Sequence, residues 1–250
     1  MPSAATATPS TACTPQHIAS YHADGWTVVR GLVPAARAAE MRDHFMRRRA
    51  EGAKPGDMSA EHLLPDDPLA RFPRMINMHG WDAPTAAWAA DPAVVAAASA
   101  LIGQRALLNQ TMLYFKPPGA RGQALHQDQQ YICKDPLIGA WCALDRADRA
   151  NGGMVVVSGS HRLGVQPVRA ATAADDSFTG GATVMPPGSR EVGVDLDPGD
   201  VLFFAGATIH GSHRNTTTDR FRRAFICHYV GDRAVDFTPQ PGTHMTHLAP

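Results

Sequence analysis

Three residues define the chemistry this chain can attempt. His126 and Asp128 stand two apart in Leu125-His126-Gln127-Asp128, a spacing that turns both side chains to one face of an extended strand. From one face, an imidazole and a carboxylate can chelate a single metal ion. A second imidazole, His210, lies far along the chain in Thr208-Ile209-His210-Gly211-Ser212. Two imidazoles and one carboxylate on one side of a metal leave three octahedral positions open, the ligand set of non-haem Fe(II) oxygen chemistry. A three-residue pattern also arises by chance in a chain with 12 His, so its flanks have to carry the reading. Beyond His210, Phe221-Arg222-Arg223-Ala224 opens an apolar run that ends Phe225-Ile226-Cys227-His228-Tyr229. A buried guanidinium there suits a bidentate pair with a carboxylate, a geometry that lysine does not match. Fe(II) together with such an arginine points to a dicarboxylate cosubstrate.

Residues spread over so much chain need a β-frame to bring them together. From Gln104 onward the segments are short, rich in β-branched and aromatic residues, and divided by Pro117-Pro118-Gly119, Asn151-Gly152-Gly153, Pro186-Pro187-Gly188 and Asp197-Pro198-Gly199-Asp200. Strands are predicted over 106–115, 124–128, 138–144, 154–157, 192–196, 201–204 and 222–230. That many short strands predict a mainly β protein, a sandwich or jelly roll with the N-terminal helices packed on one sheet, spanning 104–232. Ahead of it lies a helical part, 14–103. Thr14-Pro15 reads as a cap and first helical position with Gly25 as the stop, 34–51 has helical composition ending in Arg47, Arg48 and Arg49, and Asp91-Pro92 opens an alanine-rich helix that stops near Gly103. Residues 52–90 show no sustained period and read as a lid-like loop.

Composition narrows the class further. At 250 residues the chain suits one domain, here 14–250, behind a disordered tail over 1–13. Lys plus Arg number 23, as do Asp plus Glu, so no basic excess favours nucleic acid or an anionic membrane surface. No apolar run approaches the roughly 20 residues of a membrane span. The four cysteines are scattered, with no paired spacing, and read as reduced thiols. The first dozen residues lack the basic start and apolar middle of a secretory signal, so a cytoplasmic protein is expected. Monomer and homo-oligomer are both compatible with this composition.

The motifs in order resemble the phytanoyl-CoA dioxygenase family of Fe(II)/2-oxoglutarate-dependent oxygenases. They are Thr111-Met112-Leu113 with Lys116-Pro117-Pro118, Leu125-His126-Gln127-Asp128, Ala140-Trp141, Asn151-Gly152-Gly153, Ser158-Gly159-Ser160-His161, His210-Gly211-Ser212 with Asn215, and Phe221-Arg222-Arg223-Ala224. The resemblance implies that His126, Asp128 and His210 ligate iron, and that Arg222 and Ser212 hold the distal carboxylate of 2-oxoglutarate. The family spacing places the arginine one residue nearer the distal histidine, which makes Arg220 and Arg223 rivals. Arg222 has the matching context and shares strand parity with Ala224, Ile226 and His228. By resemblance, Gln110, Met112 and Trp141 also border the cosubstrate, each with an ordinary packing role as its competitor.

The resemblance further implies a double-stranded β-helix core, a jelly roll of the cupin kind, with dioxygen as co-reactant, a small-molecule substrate of the metabolite or natural-product kind, and release of succinate and CO2. A carboxylate at Asp128 fills the position a halogenating relative leaves for chloride, which favours hydroxylation. Tyr131, three residues past Asp128, and His228, six residues or roughly 20 Å of strand past Arg222, are expected at the substrate mouth. Lys116 is expected at the rim, His161 in a hydrogen-bonded turn, and His213 in solvent. The alternative reading is a metal-binding cupin without oxygenase activity, an isomerase or a binding protein, which has no use for the arginine after the last histidine.

Overall fold

The computed structural model describes residues 12–58, 66–238 and 240–243. The expected disordered tail over 1–13 falls almost wholly outside the described residues, as does part of the lid-like stretch, 59–65. Helix α1 (Pro15–Asp24) begins where Thr14 accepts a hydrogen bond from the His17 amide and ends at Gly25, whose φ of 82° suits a residue without Cβ. Strand β1 (Trp26–Val29) and helix α2 (Ala35–Ala50) follow. The stretch expected to be a loop holds β2 (Asp57–Met58), β3 (Arg74–Ile76) and α3 (Ala83–Ala89). These elements are too short to show a period, yet Asp82 caps α3 by accepting from the Thr85 amide. Helix α4 (Pro92–Ile102) runs from its Asp91 cap to a left-handed Gly103.

The β-part comprises β4 (Ala106–Tyr114), β5 (Gln123–His126), β6 (Lys134–Ala143), β7 (Met154–Val156), β8 (Val168–Ala170), β9 (Gly181–Thr183), β10 (Val192–Val194), β11 (Val201–Ala205), β12 (His210–Ser212) and β13 (Ala224–Asp236). Seven strands form one sheet in the order β1-β11-β6-β13-β4-β3-β2, and four form the facing sheet in the order β10-β7-β12-β5. Side-chain alternation divides the large sheet cleanly. Ile138, Ala140, Cys142, Phe203, Phe225 and Cys227 face the helices, where Phe45 stacks on Phe225 at 5.7 Å between ring centroids. Each such large apolar side chain contributes roughly 1.5–3 kcal/mol by leaving water. The opposite parity, Trp141, Leu202, Phe204, Ala224 and Ile226, points between the sheets. That interior is where the polar residues gather.

Candidate metal centre

His126 ends β5 and His210 opens β12, and the two are cross-strand partners on the small sheet. Their ring centroids stand 4.2 Å apart. Asp128 is not on the strand, as its spacing suggested, but opens a 3-10 turn over Asp128–Gln130 that folds its carboxylate back toward the imidazoles. Asp128 Oδ1 lies 3.8 Å from His126 Nε2 and 3.6 Å from His210 Nε2. The three ligand atoms lie within 4.8 Å of one another, and all three residues are buried, so the group can hold one metal ion.

The surrounding hydrogen bonds orient these donors. His126 Nδ1 is 2.9 Å from the Ala124 carbonyl and His210 Nδ1 is 2.9 Å from the Thr208 carbonyl. A carbonyl only accepts, so each Nδ1 carries the proton and each Nε2 keeps its lone pair. The Gln123 amide lies 3.1 Å from His126 Nε2, donating to the lone pair a metal would take. Burial pushes the His126 imidazolium down to about 3, helped by the His210 charge, and burial lowers His210 as well. Burial would raise the Asp128 carboxyl, but the facing imidazoles of His228, His210 and His126 and the hydrogen bond from His228 hold it well below the usual range. Neutral imidazoles and an ionised carboxylate are the forms that bind metal.

His228 stands closer to this centre than expected. Its Nε2 donates to Asp128 Oδ2 at 2.9 Å, so it touches a ligand rather than sitting only at the substrate mouth. Strand β13 starts at Ala224, and Arg222 precedes it at the far end of the cavity. Six residues beyond Arg222 is therefore the metal end itself.

A cavity of about 30 Å³ joins the triad to Trp141, Ser212 and Arg222. Arg222 is buried, its Nε donates to the Gly152 carbonyl at 3.1 Å, and its Nη1 has no hydrogen-bond partner among the described residues. Its guanidinium lies 5.2 Å from the Trp141 ring centroid. Burial pushes it down to about 10. The rivals are engaged elsewhere: Arg220 pairs with Asp148 at 2.7 Å and Arg223 with Asp145 at 2.7 Å. Lys116, expected at the rim, is instead buried, and its Nζ donates to Ser212 Oγ at 2.8 Å and the Gly152 carbonyl at 3.2 Å. Burial, with the Arg222 charge behind it, drives the Lys116 ammonium well below its ordinary value. A Cβ on Gly152 would meet the His213 carbonyl at 2.6 Å and Lys116 Nζ at 2.9 Å, so this turn leaves no room for a side chain. The buried Arg222 guanidinium, with its unpartnered N–H beside the Ser212 hydroxyl, makes the end of the cavity away from the metal fit a carboxylate.

A second cavity, of about 180 Å³, opens on the other side of His126 and Asp128. Gln110, Met112, Tyr131 and His228 line it, so Gln110 and Met112 border this space rather than the smaller one. The Tyr131 ring meets His126 edge-on at 6.0 Å. His161 Nε2 lies 3.3 Å from the His22 carbonyl, as a turn residue, and His213 pairs with Glu191 at the half-exposed surface. Arg74 also lines the larger cavity. It lies in the stretch expected to be a loop, and neither spacing nor motif marks it.

Residues 21–224 match the family model described as Phytanoyl-CoA dioxygenase (PhyH). The chain is 33% identical over 175 residues to a probable phytanoyl-CoA dioxygenase of Caenorhabditis elegans, covering 63% of this chain and 54% of that protein. It is 28% identical over 251 residues to the peroxisomal phytanoyl-CoA dioxygenase of Rattus norvegicus, covering 92% of this chain and 71% of the rat protein. The chain thus spans just over half the length of the nematode relative. Among solved structures, EvdO2 from Micromonospora carbonacea var. aurantiaca complexed with 2-oxoglutarate superposes with a TM-score of 0.73 at 21% identity, over 94% of this chain and 97% of that one. The epimerase SnoN in complex with Fe3+, alpha ketoglutarate and nogalamycin RO superposes with a TM-score of 0.71 at 22% identity, over 94% of this chain and 92% of that one. Both share the fold.

Proposed function

The chain belongs to the phytanoyl-CoA dioxygenase family, a family of oxygenases, and from that premise we propose that it hydroxylates a C–H bond of a small metabolite using Fe(II), 2-oxoglutarate and dioxygen. His126, Asp128 and His210 hold the iron, and Arg222 and Ser212 hold the distal carboxylate of the 2-oxo acid, with Lys116 donating to the Ser212 hydroxyl from behind. Bound iron and 2-oxoglutarate supply dioxygen activation, one oxygen atom entering succinate as CO2 leaves and the other entering the substrate. The chain does the rest by positioning. His228 holds one oxygen of Asp128 so that the other faces the imidazoles, and the Nδ1 hydrogen bonds hold both rings. Trp141 and Phe204 line the smaller cavity. The larger cavity, reached past Tyr131 and Gln110, receives the substrate.

The observation that carries this reading is one short cavity with a metal-binding triad at one end and the unpartnered Nη1 of Arg222 at the other. A metal-binding cupin without oxygenase activity gives that guanidinium nothing to bind. The test is anaerobic addition of Fe(II) and 2-oxoglutarate, which should produce a weak visible charge-transfer band, followed by succinate measurement after oxygen is admitted across a metabolite panel. A protein that binds iron yet gives neither band nor succinate is not this enzyme.

A further inference from the structure

Arg74 is the second buried guanidinium of the molecule without an ion-pair partner among the described residues. It opens β3, which joins the edge of the large sheet through Met75 opposite Leu113 and Ile76 opposite Met112. Met75 packs toward the helices, so Arg74 and Ile76 turn to the interior side, where both line the larger cavity. Arg74 is 7% exposed, and neither its Nε nor its Nη2 has a hydrogen-bond partner among the described residues. Its flat face is spoken for, with the guanidinium carbon 4.9 Å from the Phe178 ring centroid and 5.8 Å from that of Tyr114. The ring faces steady the charge and leave its edge, the bidentate donor edge, free.

A buried cation without a counter-charge destabilises the fold unless a ligand supplies one. Arg222 does not line the larger cavity, and Arg74 does not line the smaller, with Tyr114 standing at the border of both. Each cavity thus has its own cationic end, and the triad ligands His126 and Asp128 lie in the wall they share. Among the described residues lining the larger cavity, Arg74 supplies the one permanent cation, and Met58, Ile76, Met112 and Ile132 supply apolar walls. One guanidinium balances one negative charge. We propose that Arg74 is a specificity-determining residue that binds the carboxylate of an otherwise apolar, singly anionic primary substrate, placing its C–H bonds toward the His126–Asp128 side of the cavity. This assignment of substrate class rests on the oxygenase reading above.

The probes are hexanoate and phenylacetate, each beside its primary amide, titrated calorimetrically into the protein with and without Fe(II) and 2-oxoglutarate under anaerobic conditions. Wild-type protein should bind at least one acid about tenfold or more above its amide. Arg74→Met should erase that preference, and Arg74→Lys should keep part of it. Because Arg74→Met removes an unpaired buried charge and retains an apolar stem, it should also raise the melting temperature of ligand-free protein, by about 2–4 °C. Acids and amides binding alike, or not at all, overturns the assignment. So does a fall in melting temperature with the acid preference intact, or a raised 2-oxoglutarate requirement as the main effect in Arg74→Met. Loss of the Fe(II)–2-oxoglutarate band in wild-type protein would sink the oxygenase reading instead, while the metal-free titrations would still decide the role of Arg74.

Discussion

At the scale of single residues, the centre depends on groups that touch the ligands as much as on the ligands. Removing a hydrogen-bond partner of a metal-bound carboxylate typically costs about 10–100-fold in affinity. His228→Ala should therefore weaken ferrous-ion binding by about that factor while the far-UV spectrum stays unchanged; an unaltered metal affinity would leave His228 a packing residue. Arg222→Ala leaves a desolvated carboxylate unpaired, a loss of about 2–5 kcal/mol, so the 2-oxoglutarate requirement should rise at least about thirtyfold. Arg220→Ala, which breaks only a half-exposed pair with Asp148, should change it little. Steady-state titration of the cosubstrate separates the two. Much of this site was legible in the chain, because the triad and Arg222 come with fixed neighbours and strand parity. Parity names a face but not a position along it, which is why His228 was expected too far from the metal. Lys116 escaped for a different reason. It sits just past β4 at a φ of 34°, where no period applies and only the fold shows that its ammonium turns inward.

Elements matter here through the close fit of two strands behind His210. Gly139 on β6 pairs with Phe204 on β11, and a Cβ built on Gly139 would lie 2.5 Å from the Phe204 ring. That ring packs on the His210 imidazole at 4.2 Å between centroids. Phe204 is fully buried, so a ring displaced by that Cβ presses on its neighbours, the His210 imidazole among them. Gly139→Ala should cost about 1–3 kcal/mol by overpacking and also weaken metal binding, whereas a smaller partner in the double variant with Phe204→Leu should recover part of both losses. Denaturant melts alongside metal titrations make that comparison, and a stability loss without any change at the metal would uncouple the strand pair from His210. A glycine in the middle of an apolar strand signals close approach in any sequence. What it approaches is set by register between strands far apart in the chain, and local pattern does not carry register. The same limit explains 52–90, whose two short strands and helix gain their stability from the edge of the large sheet and from the Asp82 cap.

For the whole molecule, the two sheets divide the labour. The small sheet and the turn after it hold the triad, while Arg222 and Lys116 flank the strands β13 and β4 of the large sheet. The jelly-roll division was readable from the run of short strands and their turns, but which sheet supplied which group was not, since His210 founds its own short strand opposite His126. This division predicts two separable increments of stability. A metal ion bound at about one hundred times its dissociation constant adds about 2.7 kcal/mol, which for a chain of this size raises the melting temperature by roughly 5–10 °C. Most of that link lies within the small sheet. On the proposed assignment, 2-oxoglutarate bound between the iron and Arg222 would tie one sheet to the other, so it should add a second rise that appears only when metal is present. In Arg222→Ala the first increment should persist and the second should vanish; in Asp128→Ala both should be lost. Scanning calorimetry of each protein with metal alone and with metal plus 2-oxoglutarate measures them directly. A second increment that survives in Arg222→Ala would mean the cosubstrate is held within one sheet, and would displace the guanidinium from the site.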